Sequence, residues 1–371
     1  MRIMLVTDAW EPQVNGVVRT LSKTVAECRA MGHEVEVIHP GLGYRTFPLP
    51  TYPEIKMSIG AKKDIERRIK EFAPDGIHIA TEGSLGQAAR KLCLKWAWPY
   101  STSYHTKFPE YVTARFPFVP LAAGYWFMRR FHNRGGCMMV ATPSMRDELE
   151  QRGFHNIIPW ARGVDTELFR PDMRDVKNGV FKDLPRPIFI NVGRVAVEKN
   201  IEVFLETELP GSKVVVGEGP HLEHLRKKYP DAVFTGSMFG EELVRHFADA
   251  DVFVFPSLTD TFGLVILESM ACGTPVAAFP VPGPGDIIPG SGAGVVDDDL
   301  RKAALACLDL DRKQAIAHAH TYSWKACAEE FVGNLRVPPM PERRRFWKRL
   351  RRLGGSVRLR ISSRIRRGKN D

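Results

Sequence analysis

Short β-branched runs alternate with amphipathic stretches along most of this chain, and the whole alternation occurs twice. No other feature constrains the fold as much. A strand, a helix and a second strand in succession pack as a parallel sheet with helices on both faces. In the first series, Arg2 to Asp8 reads as a buried strand, Val17 to Met31 as a helix stopped by Gly32, and Glu34 to Ile38 as a second strand. Ile59 to Phe72 has the spacing of a charged amphipathic helix. Strands follow at Gly76–Ala80, Tyr100–Tyr104 and Met138–Thr142, then a helix capped by Ser144 and closed at Gly153. A polar stretch with Pro171, Pro185 and Pro187 interrupts the pattern. It restarts with strands at Ile188–Val192, Lys213–Val216, Val233–Thr235, Val252–Phe255 and Val276–Phe279, and with helices between them, one from Gly263 to Cys272.

The expected architecture is α/β, with two doubly wound, Rossmann-like domains in tandem. The boundaries read as 1–165 for the first domain, 166–187 for a linker, 188–335 for the second domain and 336–371 for a tail. In doubly wound sheets, ligands sit beyond the carboxyl ends of the strands, so two such sheets make an interdomain cleft the expected site. A length of 371 residues suits two domains, and 44% apolar with 26% charged residues excludes a disordered or collagen-like chain.

The charge is uneven. Residues 336–371 hold 14 Lys and Arg against Glu342 and Asp371, a local +12, which leaves −2 of the chain's +10 for residues 1–335. Six cysteines lie far apart with no C-x-x-C pair, which argues against a metal cage and fits a reducing compartment. The apolar run near the N-terminus, Ile3 to Val6, is too short for a secretory signal, and no window suits a membrane span. The expected location is cytoplasmic, peripheral at the inner face of the membrane.

Four segments could carry chemistry. Asn15-Gly16 follows the first strand, where a glycine at a helix start lets an anion approach backbone N–H groups; alone, it reads as an ordinary strand–helix turn. Arg194 and Lys199 flank the start of a helix just past a strand, in Gly193-Arg194…Glu198-Lys199-Asn200. They suit the phosphate oxygens of a departing nucleotide or, equally, a solvated surface. In the segment from Pro256 to Glu268, Asp260 precedes a helix start, and the amides of Thr261, Phe262, Gly263 and Leu264 would face an anion. Glu268 falls among apolar residues, where an acid is costly unless it binds something. Tyr104-His105-Thr-Lys-Phe-Pro-Glu-Tyr111 follows another strand; a lone histidine is more often a core residue than a catalyst. Glu218, in Gly217-Glu-Gly-Pro220, lies at a strand end, where it would contact a ligand or turn the chain.

Together these segments resemble the family-4 glycosyltransferases, retaining enzymes of the two-domain GT-B fold. The resemblance runs from Arg2 to about Leu335. It is most specific over Asp260-Thr-Phe-Gly through Glu268-Ser-Met-Ala-Cys-Gly-Thr-Pro275, with Gly193-Arg194, Glu198-Lys199-Asn200 and Arg162-Gly-Val-Asp165 in support. Asn15-Gly16 and His105 to Tyr111 look most like the branch with lipid mannosyltransferases and sulfoquinovosyl-diacylglycerol synthases.

The resemblance implies that Arg194 and Lys199 hold a donor diphosphate and that Gly16 approaches it from the other domain. It implies that Glu268 accepts ribose hydroxyls, that Asp260 accepts sugar hydroxyls and that His105 stabilises developing charge. Glu218, Phe262, Gly263 and Leu264 complete the donor set. Asp260 stands where the family usually has a glutamate. The implied reaction uses no metal or other cofactor, and transfer is front-face, with the departing phosphate helping to take the acceptor proton. Asp297-Asp-Asp299 reads as a late solvated turn.

Two regions suggest an anionic membrane surface. Phe346-Trp347-Lys-Arg-Leu-Arg351-Arg-Leu353 interleaves apolar residues with arginine, and Trp126, Arg129 and Arg130 lie in Phe116 to Arg134. The first reads otherwise as a solvated arm, the second as a core helix with a basic end. The expected partners are a nucleotide-sugar donor, with a uridine diphosphate sugar favoured, and a lipid acceptor such as diacylglycerol. A GDP-mannose-dependent α-mannosyltransferase is the alternative. Nucleic-acid binding on an inactive scaffold is the non-enzymatic one and is disfavoured by the −2 globule.

Overall fold

The computed structural model describes residues 1–49, 52–116 and 118–350. The chain forms two compact units. Among the described residues, the first takes Met1–Ser103, Arg130–Met138 and 332–350; the second takes Tyr104–Arg129 and Met139–Phe331. This division differs from the sequential one expected at residues 165 and 187: residues 104–129 and 139–165 cluster with the second unit, and residues 332–335 with the first.

In the first unit the strands are β1 (Arg2–Val6), β2 (Glu34–Ile38), β3 (Arg45–Leu49), β4 (Tyr52–Ile59), β5 (Gly76–Ile79), β6 (Ser101–Ser103) and the start of β7 (Cys137–Val140). The sheet order is β2-β1-β5-β6-β7, and β1 pairs parallel to both β2 and β5. Met4 and Val6 of β1 enter one core with Ile77 and Ile79 of β5 and with Ile65 and Ile69 of helix Lys62–Phe72. The antiparallel β3–β4 hairpin, with Arg45 opposite Ile59, was not expected; it ends where the helix was predicted to begin, so that helix starts at Lys62.

The second unit contains β8 (Ile157–Pro159), β9 (Ile188–Val192), β10 (Ser212–Val216), β11 (Val233–Gly236), β12 (Val252–Phe255), β13 (Val276–Ala278) and β14 (Gly294–Val296). The last six form a parallel sheet in the order β11-β10-β9-β12-β13-β14. Side-chain alternation explains its two covered faces. Ile188, Ile190 and Val192 enter one core with Val214 and Phe253, while Phe189 enters the other with Val215, Val252 and Val254. The order reverses direction between β9 and β12, the position where doubly wound sheets open a ligand crevice. These two strands pair only through Val252–Phe189 and Phe253–Ile190, whereas β9 and β10 pair along five residues. Beyond that short ladder the Asn191 side chain bridges to the Val254 carbonyl at 3.0 Å.

Three local expectations need correction. The helix expected from Ser144 is Pro143–Gln151, capped by Thr142, whose hydroxyl accepts from Met145 N at 3.3 Å; the Ser144 hydroxyl instead donates to Asp286. The 166–187 stretch is packed structure of the second unit. Phe169 and Phe181 are buried in its core, Arg174 and Arg186 pair with Asp251, and Asp249 accepts from the amides of Asp175 and Val180. A Cβ at Gly179 would stand 1.8 Å from Asp249 Oδ2, so only glycine permits that approach.

The third correction concerns Phe346 and Trp347, expected to face a membrane. Residues 340–350 are helical and belong to the first unit. Trp347 is 7% exposed, stacks 4.7 Å from Trp98 and donates from Nε1 to the Pro74 carbonyl at 3.2 Å. Phe346 lies 4.5 Å from Trp98, and Arg343 pairs with Asp75. The apolar side of this helix covers the first unit's core, which leaves Arg344, Arg345 and Arg349 exposed. Arg351 and the rest of the tail lie outside the described residues. Among the described residues no helix is long and apolar enough to cross a membrane. All six cysteines are buried, and none is in a disulfide.

Candidate active site

The crevice between β9 and β12 is built from the loops that leave their carboxyl ends. After β9 the chain passes Gly193 and Arg194 into a short 3-10 turn, Val197–Lys199, and Asn200 then adopts a left-handed conformation (φ 54°) that starts helix Ile201–Glu206. The Asn200 side chain donates to the Pro256 carbonyl at 3.1 Å and the Thr259 hydroxyl to the Glu198 carbonyl at 3.2 Å. These bonds lace the two loops together and bring Lys199 against Asp260. Lys199 Nζ donates to Asp260 Oδ1 at 2.6 Å and to Oδ2 at 2.8 Å. Both side chains are partly exposed, 26% and 18%, so the pair stays open to an incoming ligand. Burial on its own would lower the Lys199 ammonium, but the neighbouring charges, Asp260 foremost, hold it above the ordinary lysine value.

Asp260 does not cap the following helix. Helix Leu264–Ala271 begins at Gly263 (φ 84°), which has no side chain to cap its first amides. A helix start of this kind carries partial positive charge suited to an anion. Phe262 is buried and Leu264 packs against the core beneath. Glu268 is 3% exposed, which rules out a solvent-facing side chain.

Residues 104–129 supply another wall. The Thr261 hydroxyl donates to the His105 carbonyl at 2.7 Å, which fixes that segment beside Asp260, and the His105 ring meets Trp160 edge-on at 5.7 Å. Tyr111 lies where it feels Lys199 and Asp260 and hydrogen-bonds Thr259; burial pushes its phenol above the ordinary value, Lys199 opposing. Sequence reasoning reaches Thr261 only as an amide facing an anion and does not place Tyr111 in the site. Neither carries a charge, and Tyr111 is far from Lys199 along the chain.

Arg194 and Glu218 sit on neighbouring loops. Val195 N donates to the Glu218 carbonyl at 2.9 Å, and Gly193 N to the Val216 carbonyl at 3.0 Å. Cβ atoms at Gly217 and Gly219 would stand 1.8 Å and 2.2 Å from the carbonyl oxygens of Gly193 and Val195, so this approach requires both glycines. Gly16 belongs to the other unit. It is the first residue of helix Gly16–Ala30, where Asn15 Oδ1 accepts from Val18 N at 3.0 Å. Trp126 is 58% exposed on helix Leu121–His132, whereas the Arg129 guanidinium is engaged by the Arg152 carbonyl at 3.1 Å. Asp299 caps helix Leu300–Ala306 and Asp297 pairs with Lys302, as a late polar turn should.

Comparison with known proteins agrees with this geometry. Residues 14–168 match the Glycosyltransferase Family 4 domain, and residues 186–311 match Glycosyl transferases group 1. Sulfoquinovosyl transferase SQD2 of Arabidopsis thaliana is 31% identical over 354 residues, covering 84% of this chain and 69% of that protein. A GDP-mannose-dependent alpha-mannosyltransferase of Corynebacterium glutamicum is 33% identical over 310 residues, covering 78% and 74%. Among solved structures, sucrose-phosphate synthase from Thermosynechococcus elongatus superposes with a TM-score of 0.71 at 20% identity, covering 90% of this chain and 97% of that one. The Anabaena Alr3699/HepE structure in complex with UDP-glucose superposes with a TM-score of 0.67 at 14% identity, covering 90% and 98%. With a Rossmann-like sheet in each unit and a cation–carboxylate pair at the strand reversal of the second, this chain belongs to the family-4 glycosyltransferases of the GT-B fold.

Proposed function

We propose that the protein is a retaining, metal-independent glycosyltransferase. It moves a hexosyl or hexuronosyl group from a nucleotide sugar, of the uridine diphosphate class, to a membrane lipid such as diacylglycerol, at the inner face of the membrane. The observation that carries this reading is the Lys199–Asp260 pair at the crevice mouth, next to a helix start with glycine at its cap. A donor diphosphate replaces Asp260 as the partner of Lys199, with Arg194 and the amides of Gly263 and Leu264 as further donors. Asp260, released, accepts hydroxyls of the sugar, and Glu268 accepts those of the ribose. As the bond from the anomeric carbon to the phosphate oxygen breaks, His105 lies beside the sugar where positive charge develops. The acceptor oxygen bonds to the anomeric carbon on the same face, and its proton passes to the departing phosphate. Fixed cations and helix amides aimed at the leaving group lower the barrier because they need little reorganisation.

The lipid acceptor is supported by the relatives' names and by exposed aromatics. SQD2 is a sulfoquinovosyl transferase, and a relative of 25% identity in Streptococcus pneumoniae is an alpha-monoglucosyldiacylglycerol synthase. Phe118 (81% exposed) and Trp126 (58%) are apolar side chains of the kind that enter a bilayer interface, and Arg130 is exposed on the same helix as Trp126. A second reading, α-mannosyl transfer from GDP-mannose, is favoured by the Corynebacterium relative at 33% identity. The basic tail alone motivates nucleic-acid binding, and nothing in the crevice supports it.

The test is a donor panel. Full-length protein is incubated with UDP-hexoses, UDP-hexuronates and GDP-mannose, with diacylglycerol vesicles and with chelator. Lipid products are read by mass spectrometry and their anomeric configuration by NMR. An α-linked glycolipid from a uridine donor, formed in chelator, is expected. Product from GDP-mannose alone selects the second reading; inverted configuration or dependence on added metal contradicts the mechanism.

A further inference from the structure

The Gly217–Pro220 loop, which carries Glu218, runs directly into His221 and helix Leu222–Lys228. Facing it is Glu202, in the first turn of helix Ile201–Glu206. Among the described residues this is where metal-ligating side chains converge: one ligand atom each from Glu202, His221 and His224, all within 4.8 Å of one another. His221 Nε2 is 3.8 Å from Glu202 Oε2, and His224 Nε2 is 3.5 Å from Glu202 Oε1. The two imidazole rings lie 4.7 Å apart and are tilted by 37°.

Both nitrogen–oxygen separations exceed a good hydrogen bond, whose range ends near ~3.2 Å. They are close to the spacing of ligand atoms around a tetrahedral ion: bonds of ~2.0–2.1 Å put neighbouring ligands about 3.3–3.5 Å apart. The three ligand atoms, within 4.8 Å of one another, draw together by side-chain rotation when an ion binds. All three side chains are partly exposed, Glu202 by 36%, His221 by 23% and His224 by 57%, so water can fill the fourth position. Two imidazoles with one carboxylate suit zinc and its neighbours; calcium and magnesium prefer all-oxygen sets.

One cation competes. Lys228 Nζ lies 3.0 Å from Glu202 Oε1, yet it also lies 3.1 Å from Glu206 Oε1. Lys228 therefore keeps an acid partner when Glu202 turns to an ion.

We propose that Glu202, His221 and His224 form a binding site for a zinc-class divalent ion that clamps the Gly217–Pro220 loop to helix Ile201–Glu206. The consequence for the crevice is mechanical. His221 N donates to the Val195 carbonyl at 3.1 Å and Val195 N to the Glu218 carbonyl at 2.9 Å, so an ion held by His221 stiffens the strip that carries Arg194 and Glu218. The ion touches no reacting atom, and the site stands whether or not the proposed donor and acceptor are correct.

The experiment uses the full-length, metal-stripped chain, titrated with cobalt(II) and then with zinc(II) alone. One equivalent of cobalt should give a visible ligand-field spectrum without a thiolate charge-transfer band, and zinc should displace it and raise the thermal midpoint. His221→Gln and His224→Gln each remove a direct ligand and should weaken zinc binding by more than the about tenfold to hundredfold that losing an outer-shell partner costs, with the metal-free midpoint unchanged. Lys228→Ala, which keeps all three ligands, should tighten it severalfold. A thiolate band, unchanged affinity in the double histidine variant or no binding at millimolar zinc overturns the proposal. If the histidine variants fail to fold, weaker or equal binding by Lys228→Ala overturns it.

Discussion

Each unit has a strand reversal in its parallel sheet, with an aspartate in the loop leaving one of its strands, and the two aspartates are used in opposite ways. In the first unit, Asp8 follows β1 and is 4% exposed. Its carboxylate accepts from Leu85 N and the Ser84 hydroxyl at 2.9 Å, from the Thr81 hydroxyl at 3.0 Å and from Gly86 N at 3.3 Å. The acid caps helix Ser84–Trp96, and that crevice is closed by its own chain. Gly83 has to be a glycine there, since a Cβ would stand 2.4 Å from the carboxyl carbon. In the second unit, Asp260 meets a lysine, bonds to that lysine in place of the helix beside it and stays partly exposed. The same topology can thus hold its own fold together or keep a charge pair that a ligand can exchange. The partner supplied by the sequence decides which.

The sharpest way to break this comparison is Lys199→Ala. Turnover should fall by about a thousandfold, while the thermal midpoint moves little, because a partly exposed ion pair contributes about 0–1 kcal/mol. Steady-state kinetics beside a melting curve reads both; an unaltered rate removes the assignment of Lys199. Trp347→Ala should do the reverse. It empties a buried site against Trp98, costs about 3–5 kcal/mol of stability and spares the rate constant of the folded fraction. An unchanged denaturation midpoint would return Trp347 to the surface.

Asp8→Asn is a subtler contrast. It keeps the volume but presents an NH2 group to donors that need an acceptor, for about 1–3 kcal/mol of lost stability by chemical denaturation. The smallest effect is expected at Asp64. Burial alone would raise this carboxyl, but hydrogen bonds from Arg68, Arg67 and Tyr44 bring it down to about 2 from an ordinary 3.8. A carboxyl lowered in the folded state stabilises the protein above its unfolded value, and that contribution disappears as the pH falls from about 4 to about 2. The full shift is worth ~2.5 kcal/mol, and with the side chain 31% exposed we expect about 1 kcal/mol after solvent screening. Asp64→Asn should therefore lose about that much at pH 7 and flatten the acid limb of the stability curve; an unchanged limb would show that Asp64 is not the group responsible.

Local signals in the sequence were reliable where the cause was local. Alternation in β9 and β12 marks strands buried on both faces, and the positions of Arg194, Lys199 and Asp260 at strand ends follow from it. What was misread depends on distant partners. Phe346, Trp347 and Leu350 repeat along one side of a helix in the same way whether they meet lipid or Trp98; only the fold shows an uncovered core beside Pro74. The prolines near residues 171–187 suggest a linker, yet Phe169 and Phe181 are buried there because Asp249 and Asp251 hold that backbone down. Tyr111 entered the site through a loop whose neighbours are set by the Thr261–His105 bond.

The central claim is that the Lys199–Asp260 crevice holds a donor's diphosphate. Calorimetric binding of UDP and GDP, with uridine and guanosine as controls, tests it on the wild type and on Lys199→Ala. A diphosphate should bind the wild type well above its nucleoside, and the variant should reduce it to nucleoside level. Equal diphosphate affinity in the two proteins would contradict the account.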